Sequence, residues 1–190
     1  MNMSLIYFLI ALVILAYLYS LYSSLIKTKN RLKEASSDVD VQLKKRYDLI
    51  PNILNMAAKF MAHEKDLFSD IVRLRNSAIE KDFVSHPKEK MALDSELNAK
   101  LKSLWINVEN YPDLKSNQTM VQAMQTFHET EENIAAARRF YNSALTELKN
   151  AVEIFPSSLI AKLIGIKADR PFFEAEAQEK QRIDVKEYFK

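Results

Sequence analysis

The chain has 190 residues, 48% of them apolar and 27% charged, with a net charge of +2, one Gly and no Cys. A single Gly, where about 7% is usual, excludes architectures built on positive-φ hairpin turns or Gly-rich phosphate loops. Without Cys there is no disulfide framework, thiolate-bound metal or thiol nucleophile, and the balanced charge argues against a nucleic-acid partner. An all-α chain follows, long enough to bury a core unaided.

Residues 5–26, LIYFLIALVILAYLYSLYSSLI, carry no charge. As a helix rising about 1.5 Å per residue they would cover roughly 33 Å, against a hydrocarbon core of about 30 Å. Tyr7 and Phe8 near one end, and Tyr17, Tyr19 and Tyr22 toward the other, are placed as interfacial aromatics are. A cleaved signal peptide would open on Lys or Arg and close on small residues; MNMS has no basic residue, and Tyr and Leu fill the far end. A core helix would carry a polar stripe, which is absent before Ser20. A retained transmembrane helix is therefore expected. Lys27, Lys29, Arg31 and Lys33 follow it, and no Lys or Arg precedes it. The positive-inside rule then expects residue 1 outside and the following domain in the cytoplasm, the alternative being a periplasmic or extracellular domain.

From residue 31 apolar positions recur every three or four residues, as on the buried face of a helix. The first run is Leu32, Val39, Leu43, Tyr47, Ile50, Ile53/Leu54, Ala57, Met61, Leu67/Phe68, Ile71 and Leu74. The second is Leu93, Leu97, Leu101, Leu104 and Val108, and the third Val121, Met124, Phe127, Ile134, Tyr141, Leu145, Leu148, Val152 and Phe155. Pro87, Pro112 and Pro156 punctuate them, whereas Pro51 interrupts a stripe that keeps its phase and should kink it. Helices over 27–80, 88–110 and 114–155 would run roughly 80, 35 and 63 Å and close poorly as three rods. A break near His63 gives about 52, 28, 35 and 63 Å, an elongated antiparallel four-helix bundle that returns Phe155 to membrane level. The expected division is a flank at 1–4, a span at 5–26, a bundle at 27–156, an amphipathic segment at 157–167 and a charged tail at 168–190.

The two short helices of such a bundle would cover only the membrane-distal part of the long ones. Leu32, Val39 and Leu43, facing Tyr141, Leu145, Leu148 and Val152, would stay uncovered. The tail carries mixed charge with Phe172, Phe173, Tyr188 and Phe189, and is expected to dock loosely if at all. Neighbouring copies are then the expected cover, and the chain a homo-oligomer.

No catalytic or metal-binding pattern emerges. His63-Glu64 lacks the second His of a zincin, and Phe60, Phe83 and Gln125 stand where di-iron bundles need Glu before His63, His86 and His128. His128 with Glu131 and Glu132 reads as an exposed i,i+3/i+4 cluster. Two polar clusters interrupt the stripes: Lys44-Lys45-Arg46-Tyr47-Asp48, and Asn133, Arg138, Arg139 and Asn142. They read either as solvated faces or as an interhelical polar network with a partner or between subunits. In PSSLIAKLIGIK (156–167), Leu159, Ile160, Leu163 and Ile164 share one face, Ser157 or Ser158 can cap the start, and Gly165 can end it. This segment either folds back onto the bundle or lies in the membrane interface.

The strings NRLKEASSDVDVQLKKRYDLIPNIL (30–54), AHEKD (62–66), ENYPDLKSNQ (109–118), ENIAAARRFYNSAL (132–145) and FPSSLIAKLIGIK (155–167), behind a membrane anchor, resemble the bacterial LemA family over about residues 20–175. The matching positions include Asp40, Arg46, Tyr47, Asp48, Pro51, Tyr111, Pro112, Asp113, Ala136, Arg138, Arg139, Tyr141, Asn142 and Pro156. The resemblance implies a single-span membrane protein with an elongated antiparallel bundle, and no established activity or cofactor. Residues 176–190 depart from it. A membrane-anchored scaffold that self-associates or gathers unknown membrane-protein partners is the expected function. The alternatives are a membrane-shaping protein acting through 157–166 and an unrecognised hydrolase.

Overall fold

The computed structural model describes residues 3–174, which form six helices and no strand. They are α1 (Met3–Ala57), α2 (Lys65–Ile79), α3 (Pro87–Val108), α4 (Pro112–Lys115), α5 (Gln118–Glu153) and α6 (Ser157–Leu163). The apolar stretch at the start of α1 is long enough to cross a membrane, and its most apolar 18 residues are not covered by the rest of the protein. The same helix then continues as the first helix of the bundle without a break.

The long partners are α1 and α5, which run antiparallel. Arg31 pairs with Glu147 at 2.8 Å near one end, and Arg46 with Glu131 at 3.1 Å further along. Both helices repeat their buried positions every seven residues: Leu25, Leu32, Val39, Arg46 and Ile53 on α1, and Met120, Phe127, Ile134, Tyr141 and Leu148 on α5. A seven-residue repeat keeps one seam facing the partner with little drift, so both seams stay joined along the bundle. Val121 on α5 and Phe155 just beyond its end fall outside this seam and are exposed at 50% and 74%, correcting the stripe expected there. Met120, Thr130 and Ala144 are buried instead.

The break near His63 is present. The chain leaves α1 after Ala57, turns through 58–64 and re-enters a helix at Lys65. Phe60 N–H bonds the Ala57 carbonyl at 3.0 Å, tightening the last turn, and fully buried Met61 pins it to the core. The hairpin of α2 and α3 then packs on the part of the long pair farther from the apolar span. Pro87 and Pro112 each occupy the first turn of their helix, where a missing N–H is harmless. Asn117 caps α5, its Oδ1 accepting the N–H groups of Thr119 and Met120 at 3.0 and 3.2 Å.

No turn follows at Pro51, and α1 runs on through it. Neither Ser157 nor Ser158 caps α6; the Ser157 hydroxyl donates back to the Ile154 carbonyl at 2.9 Å. Gly165 does end α6, at φ 70°, with Gly165 N–H bonding Lys162 O and Ile166 N–H bonding Ala161 O. That left-handed residue reverses the chain back toward the bundle.

The returning chain corrects the expectation of a loose tail. Residues 166–173 lie against α5 and Phe83, with Ile166, Ala168, Phe172 and Phe173 packed on the core. Phe173 stacks on Phe83 with centroids 5.2 Å apart, and Tyr141 meets both rings edge-on at 5.0 and 5.4 Å. With α6 and this strap in place, Leu32, Val39, Leu43, Tyr141, Leu145 and Leu148 are all buried within one chain. The uncovered strip that called for neighbouring copies does not exist on this molecule. Tyr188, Phe189 and the rest of 175–190 lie outside the described residues.

Candidate functional site

Polar side chains converge at the middle of the bundle, where a seven-residue seam would ordinarily hold another Leu. Arg46 occupies that seam position on α1 and is fully buried. Its Nη1 donates to Asn98 Oδ1 at 2.5 Å and Glu131 Oε1 at 3.1 Å, and its Nη2 to Asp94 Oδ1. Arg138 Nη2 donates to the other Asp94 oxygen, and the Tyr47 hydroxyl to Oδ1 at 3.1 Å. Six residues from α1, α3 and α5 thus form one charge-assisted network.

Lys90 and Asp40 tie α2 to this network. Lys90 Nζ donates to the Ala78 and Lys81 carbonyls at 2.6 and 2.7 Å, placing a cation at the negative end of α2. It also lies 3.6 Å from Asp40 Oδ1 and 5.0 Å over the Tyr47 ring. Asp40 Oδ2 accepts the Phe83 N–H at 2.7 Å, which fixes the α2–α3 turn so that Phe83 enters the core.

The electrostatics are those of buried, partnered charge. Burial opposes the Arg46 cation most strongly, but the Asp94 and Glu131 carboxylates outweigh it and hold its pKa above the ordinary arginine value. Burial first, then the Asp94 charge, pushes the Tyr47 hydroxyl well above the usual tyrosine range. Burial pulls Lys90 below the lysine value despite Asp40 and Asp94, and it raises Tyr141.

Chemically, this is a structural lock. Both Asp94 oxygens are engaged by cations or the Tyr47 hydroxyl, so the carboxylate is not presented as a base or nucleophile. Glu131 is part-exposed and lines a surface hollow with Trp105, Met124, Phe127 and His128. His128 does not join it; it pairs instead with Glu132 at 3.6 Å, both side chains largely exposed. Among the described residues no three His, Asp or Glu side chains are grouped as metal ligands.

The polar clusters seen in the sequence therefore divide. Arg46 and Tyr47 are buried in the network, while Lys44 and Lys45 face solvent and exposed Asp48 meets Arg75 at 3.9 Å. Arg138 joins Asp94, Arg139 and Asn133 are exposed, and Asn142 binds the backbone of Phe173. The interhelical network lies within one chain. Tyr111, Pro112 and Asp113 form the α3–α4 corner, which buried Leu114 anchors. Pro156 stands between α5 and α6, where Leu159, Leu163 and Ile164 are exposed and Ile160 packs partly on the core.

Asp94, Lys90, Asn98 and Phe83 are members that the sequence did not single out as polar-network partners, and Glu131, read there as part of an exposed cluster with His128, pairs with Arg46 instead. The signal existed for two of them. Stepping back from Leu97 by three and seven residues lands on Asp94 and Lys90, polar residues in core phase on α3.

These positions can be set beside known proteins. The LemA family model matches residues 35–186, from the membrane-proximal half of the bundle into the tail. Protein LemA of Metamycoplasma hominis is 26% identical over 165 residues, covering 86% of this chain and 72% of that protein. With a family match over most of its length, an anchor-like apolar helix and this bundle, the chain belongs to the LemA family.

Proposed function

We propose that this protein is a single-pass, membrane-anchored helical scaffold of the bacterial cell membrane, without catalysis of its own, that holds partners or further copies of itself at a fixed height. One observation carries this reading: α1 passes from the apolar span into the bundle as one unbroken helix. From Ile26 to Ala57, at about 1.5 Å per residue, it reaches roughly 45 Å from the bilayer edge. A flexible tether would suit an enzyme that must find substrate, whereas a continuous helix suits a spacer that fixes where its far end stands. The buried network supports the same reading, because it holds three helices in register and engages both Asp94 oxygens.

Self-association is part of the proposal on a different ground from an uncovered strip. Anchored copies share two dimensions, which raises their effective concentration and lets modest contacts between bundles suffice. The cationic flank of Lys27, Lys29, Arg31 and Lys33 supports a cytoplasmic bundle.

Photo-cross-linking tests the scaffold. A photoreactive side chain placed at exposed Val41, Val72, Ile106 or Val121 of the full chain in native membranes should yield discrete higher-mass adducts, identified by mass spectrometry. Adducts with the same chain mean self-association and adducts with another protein mean recruitment; no adduct from any face contradicts the scaffold. Sidedness is read with Asn2→Cys and Ser116→Cys in this Cys-free chain. Labelling of position 2 alone from outside spheroplasts is expected, and the reverse pattern moves the bundle across the membrane.

A further inference from the structure

The anchor-side end of the bundle carries an apolar surface that the core does not use. The register of Arg31 with Glu147 brings the end of α5 down to the level of Leu25, the first buried residue of α1. That position lies inside the charge-free run 5–26, so protein cover begins before the apolar span has ended. There the chain turns at Ile154 and Phe155, and α6 packs on both α1 and α5 with Ala161 buried beneath it. The outward side of this turn is not polar. Ile154, Phe155, Leu159, Leu163 and Ile164 are exposed at 59%, 74%, 54%, 85% and 40%.

Five large exposed apolar side chains within eleven positions are a concentration that water-exposed proteins rarely present. Its neighbours in the chain are cationic: Lys27, Lys29, Lys162 and Lys167 are exposed, with Glu153 the nearby carboxylate. Apolar residues below a basic rim are the pattern of a segment lying in a membrane interface.

Geometry leaves one occupant for this patch. Because α1 is unbroken and α6 is packed against it, the span cannot enter hydrocarbon without carrying α6 to the same bilayer's surface. We propose that Ile154, Phe155, Leu159, Leu163 and Ile164 form a lipid-interface collar, seated in the headgroup–acyl boundary of the membrane that residues 5–26 cross. Lys27, Lys29 and Lys162 then stand among the lipid phosphates. The collar gives the protein a second membrane contact beside its anchor, which resists tilting of the upright bundle. This rests on the reading that 5–26 spans a membrane.

The experiment places single tryptophans in the full chain, in a Trp105→Phe background, reconstituted in phosphatidylethanolamine–phosphatidylglycerol vesicles with or without bromine on the acyl chains. Phe155→Trp should emit to the blue and lose most of its emission in brominated vesicles, as Leu12→Trp in the span should. The unaltered chain, with Trp105 on α3, should lose none. Quenching at position 12 without quenching at 155 overturns the collar and leaves the anchor standing. A blue-shifted but unquenched residue 155 overturns it in favour of a protein contact. No quenching at either position overturns the anchor and the collar together.

Discussion

Arg75 Nε on α2 donates to the backbone carbonyl of Tyr47 on α1 at 2.6 Å. That carbonyl is the one that the N–H of residue 51 would take in an uninterrupted helix, and residue 51 is Pro. The proline therefore frees an acceptor inside α1, and α2 uses it. Pro51 joins two helices where the sequence alone suggested a bend.

This coupling is measurable. Pro51→Ala should stabilise α1, but by less than the about 3 kcal/mol that intrinsic propensity allows, because the restored N–H competes with Arg75. Arg75→Ala should cost about 1–1.5 kcal/mol in the wild-type chain and clearly less beside Pro51→Ala. Denaturant melts of the four variants read the coupling. Equal costs in both backgrounds would separate the two residues.

The buried network predicts a second non-additivity. Asp94→Asn leaves Arg46 and Arg138 without their shared counter-charge and should cost about 3–5 kcal/mol. Arg46→Met should cost a similar amount, and the double variant less than both together. Strict additivity in chemical denaturation would mean that the two side chains are not in one network.

Tyr47 makes stability depend on alkaline pH. Its folded-state pKa lies above the ordinary tyrosine value of about 10, so the fold favours the protonated hydroxyl. The stability this contributes is complete below pH 10 and is lost as pH rises through the folded value. Tyr47→Phe should be less stable than wild type by about 1.5–3 kcal/mol at neutral pH, for the lost bond to the Asp94 carboxylate. Above pH 10 the gap should narrow. A gap that stays constant to high pH would remove the hydroxyl from the network.

The strap is held by a reciprocal pair: Asn142 Nδ2 donates to Phe173 O, and Phe173 N–H to Asn142 Oδ1, both at 2.9 Å. Asn142→Ala should free residues 166–173 while α1 and α5 stay paired. Limited tryptic proteolysis should then cut after Lys167 faster than in wild type. Unchanged cutting there would mean that ring stacking alone holds the strap.

Much of this architecture was readable because it rests on period and punctuation. The anchor, the stripe of α1, the break near His63 and the starts at Pro87 and Pro112 each follow from spacing or backbone chemistry. The strap was not readable. Its hold depends on Phe173 entering a gap among Phe83, Tyr141 and Arg138, which are remote in sequence, and on a backbone bond that no side-chain pattern announces. The network was half readable. Arg46 and Arg138 stood out as charges beside core positions, but Asp94 looked like any polar residue near a helix start. Only assembly decided whether those charges met solvent, another chain or each other.

The central claim is that the bundle stands upright on one continuous helix, and the height of its tip above the bilayer tests it most directly. Ser116 lies exposed at the α4–α5 turn, and Ser116→Cys gives a single labelling site in this chain. Energy transfer from a donor there to acceptor lipids should report a narrow height distribution near roughly 45 Å. It should broaden and fall when a flexible Gly-Ser insert follows Thr28. A tip already near the membrane, or one just as broadly distributed without the insert, would contradict the account.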